Sequence, residues 1–295
     1  MRFWISLLLF CSMWAADIDT LHRWTNSWIA KQLQTLDRWL SDSNESLKQR
    51  FSIQTSVDTI LETKKEARFR FNIRAHLELP RTQKKLHLFF QDYRPHENID
   101  TQSAHDVGSS IKNSSFLAGL SYLTSTNISY RAGVRFHKIS PDPFLAAEWN
   151  DEKRVLDGWL YYGVRIGYYL DRKFDDLFFL NYQHTLGSRT LFAFENDIRY
   201  RQRPSSSLEF LHSLKLYHSL GRYTTLTPHC DLYALNDSIN SYKINYYYIG
   251  IDYHDIFYRK WLFYELSPAV LWRIENHFQP SYRLMVRFGI TFERN

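Results

Sequence analysis

The stretch YRLMVRFGITF at residues 282–292 alternates between two kinds of side chain along its whole length. One set is apolar and consists of Tyr282, Leu284, Val286, Phe288, Ile290 and Phe292. The residues between them are Arg283, Met285, Arg287, Gly289 and Thr291. Successive side chains of a β-strand point to opposite faces, so this period of two predicts a strand with one strongly apolar face.

The same alternation recurs along most of the chain. It is clearest at residues 66–79, 127–137 and 189–201, where arginines occupy several positions of the polar face. Further strands are predicted at 51–61, 86–93, 115–123, 144–149, 155–170, 174–186, 208–219, 223–235, 242–253 and 260–273. The total is about fourteen strands, and twelve stays open if neither 51–61 nor the short 144–149 segment forms a strand.

Composition favours a barrel that crosses a membrane. No segment after the first residues has about 18 consecutive apolar residues, so transmembrane helices are not predicted. Aromatic residues nevertheless make up 17% of the chain, although its mean hydropathy is only −0.44. A transmembrane β-barrel accounts for both values, because only alternate residues face lipid and aromatic residues concentrate at the interfaces. The fold class predicted is therefore all-β, an antiparallel transmembrane β-barrel.

The residues before the first strand divide into two segments. Residues 1–16 carry Arg2, an apolar run and the small pair Ala15-Ala16, which predicts a cleaved signal peptide. Residues 17–50 form an amphipathic helical segment with Trp24, Trp28 and Trp39 on one stripe. This helix is expected to rest against its own barrel, and a plug, a membrane anchor and a docking handle are the alternatives. Residues 51–295 form the barrel.

The last strand also resembles the assembly signal of Gram-negative outer-membrane β-barrel proteins. That signal is an almost C-terminal alternating strand closing on an aromatic residue, and here Phe288, Ile290 and Phe292 carry it, with three residues following. Residues 261–272 are similar to the C-terminal part of proteobacterial barrels of uncharacterised role. The resemblance implies an outer-membrane location with both termini in the periplasm. The partners it implies are outer-membrane lipid and the barrel-assembly machinery.

The polar faces of the predicted strands are rich in charge. The candidate lumen-lining residues are Arg68, Arg70, Arg74, Arg131, Arg135, Arg165, Glu195, Asp197, Arg199, Arg283 and Arg287. Arginines fixed around a pore attract anions, so this set predicts a channel for small polar or anionic solutes. The alternative is a structural or docking barrel whose lumen is closed by salt bridges.

Other functions have little support in the sequence. The net charge of +6 comes without a block of like charges, so nucleic-acid binding is not expected. Outer-membrane lipid hydrolases use a His-x-Ser pattern, whereas His212-Ser213 and His218-Ser219 are direct neighbours that point to opposite faces of a strand. No group of His, Cys and carboxylate residues has the spacing of a metal motif. We therefore expect no catalytic, cofactor-binding or metal-binding residue, and a lipid-modifying enzyme is the least favoured alternative.

Overall fold

The computed structural model describes residues 18–35, 50–78, 86–92, 115–124, 127–137, 140–202, 206–237, 242–257 and 259–294. They form a helix α1 at residues 18–35, fourteen strands and a 3₁₀ turn at Ile274–Asn276. The first seven strands are β1 Phe51–Glu62, β2 Arg68–Glu78, β3 Leu86–Asp92, β4 Ser115–Leu123, β5 Ile128–His137, β6 Ser140–Val155 and β7 Gly158–Tyr169. The others are β8 Lys173–Gly187, β9 Thr190–Arg201, β10 Ser207–Ser219, β11 Thr225–Asp237, β12 Lys243–Ile256, β13 Leu262–Arg273 and β14 Pro280–Arg294.

The fourteen strands close into one antiparallel barrel. Each strand pairs with its neighbours in the chain, and β1 pairs with β14, so that Asp58 lies opposite Arg287. The predicted count of fourteen is confirmed and the alternative of twelve is excluded, because β1 and β6 are both strands. We call the end at which β1 begins and β14 ends the terminal end. The last residue of β3, Asp92, and the first residue of β4, Ser115, lie at the opposite end.

Strand β6 is much longer than the predicted 144–149. It begins at Ser140 and includes Pro141 and Pro143, neither of which can donate a ladder hydrogen bond. The backbone N–H of Leu170, just past the end of β7, donates to the carbonyl of Pro143 at 3.0 Å. Pro143 has no N–H to donate, but it lies opposite Leu170, beyond the last residue of β7, so no ladder hydrogen bond within β7 is lost.

The inner face of the wall is charged and the outer face is apolar, which is the reverse of a soluble protein. Along β1, the side chain of Asp58 is fully buried inside, whereas Val57 beside it is 48% exposed outside. The outer surface carries many exposed large apolar side chains, among them Phe69, Phe71, Leu145, Ile166, Phe178, Ile249, Tyr282 and Phe288. An apolar exterior around a charged interior is the arrangement of a barrel whose outer solvent is lipid.

Helix α1 packs against the terminal end of the barrel. His22 Nε2 donates to the carbonyl of Thr291 at 3.0 Å, and its ring stacks on Phe292 with centroids 4.9 Å apart. Further along the helix, Ala30 and Leu33 are buried against Phe51. No helix among the described residues is long and apolar enough to cross a bilayer.

The barrel residues beneath α1 belong to the outer face. In the strand register Phe51 lies opposite Leu77, and Ile53 lies opposite Phe292. These four share the face of exposed Val57, because residues two apart in a strand point the same way. Residues 18–35 therefore lie outside the barrel wall, and a lumenal plug made of them is excluded. The prediction that the helix rests against its own barrel agrees with this packing.

The tryptophan stripe does not make the barrel contact that a plug would require. Trp24 and Trp28 are 61% and 50% exposed, on a side of α1 that is turned away from the wall. Trp39 lies outside the described residues, as do residues 36–49 and the predicted signal peptide.

Candidate functional site

The interior is lined by networks of ion pairs, and one of them joins β13, β14, β1 and β2. Asp58 accepts hydrogen bonds from Arg70 Nη2 at 2.7 Å and from Arg287 Nε at 2.7 Å. Arg287 also donates to Glu265 on β13 at 3.2 Å. The register places Asp58 directly opposite both arginines, so neighbouring strands supply the partners. A charge taken out of water needs such partners, because desolvation otherwise costs several kcal/mol.

A second network lies at the end of β1 that is remote from the termini. The buried carboxylate of Glu62 contacts Lys65 at 2.9 Å and Arg68 at 3.2 Å, and it also binds Arg273. This carboxylate therefore holds three cations at the opposite end of the barrel.

A third network crosses β5, β6 and β7. Glu148 contacts Arg131 at 3.1 Å and Arg165 at 4.0 Å, so one carboxylate serves two arginines. On the same strands, Arg135 pairs with Asp142 at 2.5 Å, and its guanidinium lies over the ring of Tyr169.

The remaining interior pairs lie on β8 to β12. Arg199 Nε donates to Asp175 at 2.6 Å, Lys215 donates to Glu195 at 2.5 Å, and Arg201 pairs with Glu209 at 2.9 Å. The ring nitrogens of His229 lie 3.1 Å from Asp231 and 3.4 Å from Asp252. Strands on this side of the barrel thus bring together both signs of charge.

The pairs differ in which partner is more exposed. The Arg131 side chain is 29% exposed and that of Glu148 beneath it only 8%. In four further pairs the arginine side chain is likewise more exposed than the carboxylate. These pairs are Arg68 with Glu62, Arg70 with Asp58, Arg165 with Glu148 and Arg201 with Glu209. Arg135 and Arg199 are instead as buried as their partners, and Glu195 is more exposed than Lys215. Most of the pairs that have one partly exposed partner therefore present a cation to the interior.

All of the predicted lumen-lining residues lie on the inward face. Arg74 is half-buried, and Asp197 and Arg283 are buried. The three residues of the predicted assembly signal point outward on β14: Phe288 is exposed, while Ile290 and Phe292 are partly covered. The sequence did not identify the carboxylates that pair with the lumen-lining arginines, because that requires the register between strands. They are Asp58, Glu62, Glu148 and Asp175.

The structure also brings together three potential metal ligands that are not connected by any motif in the sequence. One ligand atom each from His76, Glu78 and His87 lies within 4.8 Å of the other two. The residues come from two strands, so their spacing along the chain matches no metal motif. A signal was present in the alternation of His76 and Glu78 along β2, but only the pairing of β2 with β3 adds His87.

The neighbouring His and Ser residues of β10 are separated by the wall. His212 points outward and its Nδ1 donates to Asn196 Oδ1 at 2.8 Å, whereas Ser213 is buried on the inward face. His218 is bonded to the hydroxyl of Thr190, and Ser219 donates to the carbonyl of Gly221. Neither pair has the contact between base and nucleophile that a serine hydrolase uses.

An even number of antiparallel strands, full closure, an apolar exterior and a charged interior occur together here. The chain has the architecture of an outer-membrane β-barrel. No protein-family model matches the sequence, and no curated protein is significantly similar to it.

Several solved outer-membrane proteins are similar to the barrel in structure. A loop-deletion mutant of OmpT, an outer membrane protein of Vibrio cholerae, has a TM-score of 0.47 at 8% identity, covering 83% of this chain and 99% of its own. For OccK5 of Pseudomonas aeruginosa the TM-score is 0.46 at 8% identity, with 84% and 98% covered. For the KdgM porin, solved with disordered oligogalacturonate, it is 0.40 at 5% identity, with 82% and 99% covered.

Proposed function

We propose that the protein is an outer-membrane channel for small polar solutes, with a preference for anions. Both termini lie in the periplasm, and the last strand with Phe292 is what the barrel-assembly machinery recognises. The observation that carries the channel proposal is the layering of the ion pairs, in which guanidinium groups that are 13–29% exposed cover buried carboxylates. A solute inside the barrel would contact guanidinium groups that are held in place by the buried carboxylates beneath them.

The layering decides the sign of the local field even though each pair is neutral overall. At an effective dielectric constant of about 20, an anion about 4 Å from a guanidinium gains about 4 kcal/mol, while a carboxylate about 7 Å away opposes this by about 2 kcal/mol. The nearer charge therefore wins. Arg131 and Arg165 act together on one carboxylate, so the surface they share carries an excess of positive charge.

Conductance measurements test this proposal. Purified protein in planar bilayers under a KCl gradient should give a reversal potential that indicates anion preference. The double variant Arg131→Gln with Arg165→Gln uncovers Glu148 and should shift the reversal potential toward cations. Arg189→Gln, in the exposed turn between β8 and β9, removes one positive charge outside the interior and should leave the selectivity unchanged. Conductance without anion preference in the unmodified protein would contradict the proposed selectivity.

A closed structural barrel is the second candidate, and a different observation favours it. Arg135, Arg199 and Arg287 are nearly inaccessible together with their carboxylates. Interior charges packed this tightly stabilise a wall without offering a binding surface to solutes. A folded barrel that gives no conductance in the same bilayers would support this role and exclude the channel.

A further inference from the structure

The interior face of the β2–β3 hairpin carries a cluster of ligands at the terminal end. Glu78 lies opposite His87 in the strand register, and His76 precedes Glu78 by two residues, so all three point inward. The two imidazole rings are stacked with centroids 4.9 Å apart and planes inclined by 25°. His76 is exposed, whereas Glu78 and His87 are half-buried, so one side of the cluster is open to water.

The chemistry of these three side chains matches that of a transition-metal site. Two imidazoles and one carboxylate form a ligand set that zinc enzymes use, with a fourth position left for water or substrate. His87 Nδ1 is buried and has no hydrogen-bond partner. A buried polar atom without a partner is costly, and coordination to a metal would satisfy it.

We propose that His76, Glu78 and His87 bind one divalent transition-metal ion, of which Zn²⁺ and Cu²⁺ are the best candidates. Nitrogen ligands favour these ions over Mg²⁺ and Ca²⁺, which prefer all-oxygen sites. Bonds of about 2.0–2.2 Å to a tetrahedral ion would bring the ligand atoms to about 3.3 Å from one another. Because the atoms now lie within 4.8 Å, rotation of exposed His76 and half-buried Glu78 is the movement required.

A bound ion would join β2 to β3 next to the 79–85 connection. Because it binds the folded barrel and has no preformed site in the unfolded chain, it should raise the unfolding temperature. This effect does not depend on whether the barrel conducts, so the metal proposal and the channel proposal fail or succeed separately.

Titration of the full chain in detergent micelles, with any purification tag removed, tests the site. Calorimetry with Zn²⁺ should show one saturable site, and Co²⁺ should give the visible absorption of a tetrahedral complex. His87→Gln and His76→Gln should each weaken Zn²⁺ binding at least tenfold and abolish the thermal shift. His184→Gln changes a histidine on the outer face and should leave both unchanged.

Heat-modifiable migration in gels shows which variants are folded. If His87→Gln fails to fold, Glu78→Gln replaces it, because glutamine keeps the shape of the side chain and removes its charge. Absence of saturable Zn²⁺ binding to the unmodified protein would overturn the proposal. Equal binding by His87→Gln and His184→Gln would do the same.

A second inference rests on α1 and is independent of the metal site. The helix has two apolar stripes: one contains Ala30 and Leu33 and packs on the barrel, and the other is exposed. The exposed stripe consists of Ile18, Leu21, Trp24 and Trp28. The spacing of three or four residues places them on one side of the helix.

We infer that the exposed stripe inserts into the lipid interface beside the terminal end of the barrel. The stripe belongs to a helix seated on the lipid-facing surface, so it continues the apolar exterior of the wall. Tryptophan concentrates at the boundary between headgroups and acyl chains, and interfacial helices bury their apolar face by about 5–10 Å there. Arg23 is exposed on the remaining side of α1 and would face water. Lys31 follows Trp28 by one turn on the same side, and its long side chain would extend its charge to the headgroups.

Fluorescence at adjacent positions tests this insertion. Trp28→Cys and Ser27→Cys, each in a Cys230→Ser background, are labelled with a polarity-sensitive dye and folded into vesicles of phosphatidylethanolamine and phosphatidylglycerol. The dye at position 28 should emit at shorter wavelength and be quenched by lipids that carry a nitroxide near the headgroup. The dye at position 27 should show neither effect. Equal emission and quenching at the two positions would refute lipid insertion.

Discussion

Asp58 is the residue on which the ion-pair network across β13, β14, β1 and β2 depends. Its carboxylate is buried and binds both Arg70 and Arg287, while Glu265 supports only Arg287. Removing one member of a buried ionic network leaves the others without compensation, which costs about 3–5 kcal/mol.

Asp58→Asn should therefore lower the free energy of unfolding by about 3 kcal/mol, the lower end of that range, because Arg287 keeps one carboxylate. Urea unfolding from vesicles, followed by tryptophan fluorescence, measures it. Asp157→Asn makes the same chemical change in an exposed turn and should alter stability by less than about 0.5 kcal/mol. Similar losses in the two variants would show that the network contributes nothing to folding.

The neighbouring residues Arg70 and Phe71 test which face of β2 meets lipid. Phe71 is 60% exposed on the outer surface, and a charged residue at the bilayer midplane of a barrel costs about 2–4 kcal/mol. Phe71→Arg should thus reduce the folded, heat-modifiable barrel recovered from outer membranes. Phe71→Leu keeps an apolar side chain and should assemble normally. Normal assembly of the arginine variant would mean that position 71 does not contact the acyl chains.

Side-chain facing was predictable from sequence at these positions, whereas the contacts were not. Alternation along β2 suffices to place Arg70 inside and Phe71 outside. Pairing Arg70 with Asp58, or Glu78 with His87, requires the register between strands, which depends on the whole wall. Alternation along each strand therefore identified the charged residues of the interior, but it did not identify their partners or the histidine cluster.

At the scale of elements, the strands were easier to predict than the helix position. Period-two alternation identified all fourteen strands, although the predicted 144–149 covers only part of β6, whose ends carry prolines and charged residues. The apolar stripe of α1 identified a helix, but such a stripe does not specify which surface it packs on. The two surfaces available were the inner and outer faces of the same wall.

Because α1 lies outside the wall, its deletion should not open the barrel as the deletion of a plug would. A plug would leave the pore on deletion and raise conductance, whereas a helix outside the wall has no path to block. Deleting residues 17–46 should therefore leave single-channel conductance unchanged. Planar-bilayer recordings of the deleted and full chains, both checked for heat-modifiable folding, make the comparison. A clear rise in conductance would place part of that segment in the lumen.

The two ends of the barrel differ, because α1, the start of β1 and the end of β14 all lie at the terminal end. Proposed insertion with that end in the periplasm exposes the 3₁₀ turn between β13 and β14 at the cell surface. In a Cys230→Ser background, Glu275→Cys should react with a membrane-impermeant maleimide on intact cells. Asp157→Cys, at the terminal end, should react only after the outer membrane is permeabilised. The opposite labelling pattern would invert the orientation.

The surface on which α1 packs also determines when during folding the helix can dock. Phe51, Ile53 and Leu77 come from the first two strands, but Phe292 and Thr291 come from the last. These surfaces become neighbours only when the ring of strands has been completed at β1 and β14. The segment that precedes the whole wall in synthesis must therefore wait until the final strand has arrived, and its docking marks the moment at which the barrel is finished.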